Sequence, residues 1–142
     1  MSFPELYSEK ILEIAGNPVA TPRLANPSAS ARKVSRVCGS SIEVDVAVED
    51  GIITGYGATV RACALGQTSA AIVAAHIVGS AADEMRGLRA AVAAMLKSDG
   101  APPQGKWADL EVLAPVRAYP ARHASTLLVF DAVAEALDRA GA

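Results

Sequence analysis

Polar and apolar residues alternate from Ser41 to Val46 and the pattern runs on through Ala47 to Val48, with Ile42, Val44, Val46 and Val48 on one side. A period of two marks a strand with one face in the core. Glu49-Asp50-Gly51 follows as a turn, its glycine free to take a positive φ. Ile52 to Arg61 returns as a second strand, and Gly55 and Gly57 within it point to a bulge or a close backbone approach. Glu43 and Asp45 fall on the side opposite the valines, an outer face where charges are normally solvated.

The pattern elsewhere has the helical period. Leu6, Tyr7, Ile11 and Ile14 form one apolar face, entered at Ser2-Phe3-Pro4-Glu5 with capping-box spacing and closed at Gly16. Ala64 to Val78 is apolar nearly all round, the mark of a buried helix, and His76 within it reads as a core histidine. A further helix runs from about Ala81 to Lys97, with Met85, Leu88, Val92, Met95 and Leu96 inward and acids in its first turn. Trp107 to Leu113 is a short helix. Pro115 and Pro120 keep the next stretch extended. Ser125 to Ala140 is the last helix, striped by Leu127, Phe130, Val133, Ala134 and Leu137, with Ser125 as its cap. Residues 17–35, rich in Pro, Asn, Ser and Ala, form a long connection. The order predicts an α+β domain over 1–142: a small antiparallel sheet of two to three strands packed against about four to five helices.

Composition narrows the function. Of 142 residues, 51% are hydrophobic but only 4% aromatic, so Ala, Val, Leu and Ile must build the core. A net charge of -2 offers no basic excess for nucleic acid. Mean hydropathy is high at +0.28, yet no uncharged apolar run is long enough to span a membrane, and no secretory leader pattern occurs. Two cysteines, Cys38 and Cys63, are too few for a disulfide framework or a four-thiolate metal site. Cys63 precedes a helix, where the dipole favours a thiolate; read from the residues alone, it is either that or a small core residue. Cys38 is likewise a ligand beside a permissive glycine or an inert thiol. The two lie at opposite ends of the hairpin-like segment and could meet at one end of the sheet. Ser125 and His123 are too close in sequence for a nucleophile–base pair, and no Gly-x-Ser-x-Gly elbow occurs, so a hydrolase is disfavoured.

Cys38-Gly39-Ser40 before the hairpin, and Ala62-Cys63-Ala64-Leu65-Gly66-Gln67-Thr68-Ser69-Ala70-Ala71 after it, resemble the U-type iron–sulfur cluster scaffold family, the IscU, SufU and NifU N-terminal group. Leu6-Tyr7, Ile11, Asn17-Pro18, Asp50-Gly51-Ile52-Ile53 and Tyr119-Pro120-Ala121-Arg122 extend the resemblance over roughly 6–137. The last run, and the long segment from Gly79 to Trp107, resemble the SufU branch. Two departures stand out. The resemblance places the third cysteine at Ser125 and the aspartate of Cys-Gly-Asp at Ser40. Hydroxyls are poor soft-metal ligands beside thiolates.

The resemblance implies a cytoplasmic, non-enzymatic assembly scaffold. Its cargo would be iron, an iron–sulfur cluster or zinc, held by Cys38 and Cys63 with His123 and Ser125. His123 is offset by one from the family's histidine slot, and it reads equally as a surface histidine. A cysteine desulfurase would donate sulfur, and apo iron–sulfur proteins would receive the product. The alternative is a metal-free degenerate homologue acting as an interaction or regulatory subunit of a larger complex.

Overall fold

A computed structural model describes residues 8–16, 21–36 and 39–142. The architecture is α+β: a three-stranded antiparallel sheet in the order β1-β2-β3, with helices packed on one face. The elements are α1 (Glu9–Gly16), β1 (Ala29–Ser35), β2 (Ser40–Glu49), β3 (Ile52–Arg61), α2 (Ala64–His76), α3 (Ala82–Lys97) and α4 (His123–Arg139). Two 3-10 stretches, Gly105–Ala118 and Pro120–Arg122, join α3 to α4. No helix among the described residues is long and apolar enough to cross a membrane.

The alternation in β2 sets the layers. Ile42, Val44 and Val46 are buried beneath α4, which lies across β1 and β2. Helix α4 buries Leu127, Phe130, Val133 and Leu137 in the same core, and Met85, Val92 and Met95 of α3 join it. Helix α2 sits between α1, α4 and the longer 3-10 stretch. The β2–β3 turn places Asp50 and Gly51 at φ of 53° and 76°. In β3 the register slips: Ala47 faces Gly55 but Val48 faces Ile53, leaving Thr54 as the extra residue of a bulge.

Several expectations change. The connection expected over 17–35 ends early, because residues 29–35 form β1 against β2. Its Ser- and Ala-rich composition hid a strand whose partner lies across the hairpin. The stretch expected to be extended around Pro115 is 3-10 helical, with Trp107, Leu110, Leu113 and Val116 buried. Asp45 is not solvated. It is 1% exposed, because residues 21–28 cross the outer face of the sheet above it. Arg23 donates to its carboxylate at 2.6 and 2.7 Å, Ser30 at 2.6 Å and the Leu24 N–H at 3.0 Å. Gly57 makes that crossing possible: a Cβ there would lie 2.6 Å from the Pro22 carbonyl oxygen. Helix α2 is less enclosed than expected. Its last residue, His76, is half-buried and packs edge-on against Trp107. The capping box at Ser2 and Glu5 lies outside the described residues; Ser8 accepts the Ile11 N–H at the start of α1.

Candidate functional site

The site forms where β3 runs into α2 beside the start of α4. Cys63 occupies the N-cap of α2 with extended backbone (φ −66°, ψ 174°), so its side chain faces the free N–H groups of the first turn. It is half-buried. Burial alone would push its thiol up. The N–H groups of Gly66 and Leu65, the Ser125 hydroxyl and the charge of Arg122 outweigh that and bring it below the ordinary thiol value. The fold therefore favours the thiolate form of Cys63.

Ser125, in the first turn of α4, holds its Oγ 3.5 Å from the Cys63 Sγ. It is 1% exposed, and its hydroxyl also lies 3.4 Å from the Arg122 carbonyl. Ser125 is thus not the helix cap. The helix starts two residues earlier, at His123, and no side chain caps it. His123 is buried, and its Nε2 donates to the Val116 carbonyl at 3.0 Å. That bond fixes the tautomer and leaves Nδ1 as the nitrogen with a lone pair.

Cys38 lies outside the described residues. Its neighbour Gly39 has a φ of 66°, a conformation glycine adopts without strain. Ser40 is buried, and its hydroxyl has no hydrogen-bond partner among the described residues; Ser35, paired with it across β1 and β2, is in the same state. Among the described residues, no three His, Cys, Asp or Glu side chains are grouped to hold a metal.

Gly66 is the residue that sequence reasoning did not single out. A Cβ there would lie 2.6 Å from the Ala62 Cβ and 3.3 Å from the Ser125 carbonyl oxygen. Glycine lets α2 and α4 approach until Cys63 and Ser125 touch. Its only sequence signal is a glycine inside a helix of small residues, where alanine would be better by about 1 kcal/mol.

No family model matches the chain. It is 44% identical to the crystal structure of a nitrogen-fixing NifU-like protein (N-terminal) from Brucella abortus, with a TM-score of 0.95, covering 98% of this chain and 96% of that one. The iron–sulfur cluster assembly scaffold protein IscU of Thermotoga maritima is 25% identical over 139 residues, 98% of this chain and 97% of that protein. A chain from Fervidobacterium islandicum AW-1, described as a candidate iron–sulfur cluster assembly scaffold for the SUF system, shares the fold at a TM-score of 0.86 and 18% identity, covering 96% and 99%. The chain belongs to the IscU/NifU-like scaffold family. Members of this family are scaffolds, not enzymes.

Proposed function

We propose that the protein is an iron–sulfur cluster assembly scaffold whose sulfur-accepting group is Cys63. The observation that carries this is the thiol at the N-cap of α2, lowered by the N–H groups of Gly66 and Leu65 and by Ser125. The Thermotoga and Fervidobacterium relatives are described as scaffolds for that assembly. A cysteine desulfurase supplies sulfur as a persulfide. The Cys63 thiolate attacks its terminal sulfur, a new S–S bond forms as the old one breaks, and the donor thiolate leaves. No external oxidant is consumed.

Iron, or zinc in its place, is cargo held by Cys38 and Cys63, with His123 offering Nδ1 and Ser125 a weak oxygen. Two thiolates hold such cargo loosely, which suits delivery to apo iron–sulfur proteins in the cytoplasm. The metal-free alternative, an interaction subunit of a larger complex, is favoured by one observation. The Ser125 hydroxyl already occupies the approach to Cys63, where a third thiolate would bind more strongly.

Anaerobic incubation with ferrous iron and sulfide, read by absorbance and metal analysis, separates the two readings. The wild type takes up iron, and Cys63→Ser and Cys38→Ser each lose most of it. A wild-type chain that takes up neither iron nor zinc overturns the scaffold reading.

A further inference from the structure

The outer face of the sheet is only half covered. Residues 21–28 lie over its Asp45 and Gly57 end. Toward Cys63 the outward positions of the three strands are Arg32 and Val34 on β1, Ser41 and Glu43 on β2, and Thr59 and Arg61 on β3. A hollow of about 200 Å³ opens there, with Arg32 and Arg61 on its flanks and the hydroxyls of Ser41 and Thr59 between them. Both arginines are exposed, and neither guanidinium is ion-paired among the described residues. The one acid in the hollow, Glu43, is answered by Arg23 at 3.1 Å. This face is therefore positive on a chain whose total charge is -2. Val34, 49% exposed, adds an apolar contact in the same cross-strand row as Ser41 and Arg61.

We propose that this face is the landing surface for an acidic patch on the protein that hands sulfur to Cys63, with partner carboxylates on Arg32 and Arg61. The inference rests on the sulfur-acceptor reading above. Three features support it. The hollow has the size of a carboxylate-bearing side chain rather than of an extended polyanion. The negative total charge of the chain disfavours a nucleic acid backbone. Arg61 precedes Cys63 by two residues, so the hollow opens at the end of β3 that runs into the thiol's helix. Paired arginines flanking an aliphatic contact give orientation and on-rate to protein association.

The test uses the full chain as wild type, R32E/R61E and R32K/R61K, with a purified cysteine desulfurase as probe. Binding is measured at about 50 and 300 mM salt, on either side of useful screening. Iron and sulfide loading without any partner is measured in parallel. The wild type binds the desulfurase and weakens as salt rises. R32E/R61E binds about tenfold or more weakly, mostly through a lost on-rate. R32K/R61K keeps the charge and keeps the binding. Chemical loading is equal in all three, because these residues lie outside the thiol site. No binding by the wild type, or equal binding by R32E/R61E, overturns the proposal. So does a result in which inorganic phosphate moves the Ser41 and Thr59 amide resonances while the desulfurase does not. If the wild type binds the desulfurase in this charge-dependent way but takes up no metal, the landing surface stands and the cluster-scaffold reading falls.

Discussion

Cys63 is chemically distinct because of what its neighbours donate, and the side-chain donor among them can be removed alone. The Ser125 hydroxyl is the contact that separates this chain from one with a third thiol. Ser125→Ala removes a hydrogen bond to the thiolate and so raises the thiol's titration. The iodoacetamide alkylation rate against pH should therefore shift to higher pH, with a slower rate at neutral pH and an unchanged plateau. An unshifted profile would mean that the helix N–H groups alone set the thiolate. Ser125→Cys should act in the other direction on metal, giving tighter iron or zinc retention against a chelator, because a soft charged ligand replaces a neutral hydroxyl. At this scale the sequence made Cys63 legible, since a cysteine before a small-residue helix has a physical consequence on its own. It did not make Asp45 legible. Alternation tells which face a residue occupies, but not that residues 21–28 fold back over that face.

Glycines decide how closely the elements meet. Gly66 lets α2 and α4 approach at the site, and Gly57 lets residues 21–28 lie on the sheet. Gly66→Ala puts a Cβ 2.6 Å from the Ala62 Cβ and crowds the Ser125 carbonyl oxygen at 3.3 Å, so the start of α2 must shift. It should cost about 1–3 kcal/mol in urea unfolding and, unlike a plain packing defect, also raise the Cys63 titration by breaking the Ser125 contact. Gly57→Ala has a backbone carbonyl in its way, so the crossing segment must lift. Rapid limited proteolysis within residues 21–28, with Cys63 alkylation unchanged, is the expected signature. Both outcomes follow from steric contacts that no periodicity encodes. The helices and the β2–β3 hairpin were readable because their signals are local. Strand β1 was not, because Ala29–Ser35 has little strand propensity of its own and depends on its pairing with β2. The 3-10 stretch was masked by Pro115, which argues against a regular helix but not against a tight turn-by-turn path over Trp107 and Leu110.

Across the whole molecule, the sheet has two differently managed faces, and the acid stability of the fold reports on one of them. The inner face is held by apolar burial, which is indifferent to pH. The outer face is tied down through Asp45, whose carboxylate accepts from Arg23, Ser30 and Leu24. The hydrogen bonds from Arg23 contribute most, outweigh the cost of burial, and lower its pKa from 3.8 to about 2. In the unfolded chain the group titrates near its ordinary value. The stabilisation is therefore complete above about pH 4 and is lost as pH falls through about 2, where the folded state must also take up the proton. Asp45 itself is buried, but Arg23 is 38% exposed, so solvent screens part of the pair, and about 2 kcal/mol is the upper scale of the effect. Urea unfolding of the wild type at successive pH values from 6 down to 2 should show that loss beyond the general acid trend. Asp45→Asn, less stable at neutral pH, should show a flatter acid limb, with the two curves converging at the acid end. Parallel curves would mean that residues 21–28 are held by something other than this carboxylate.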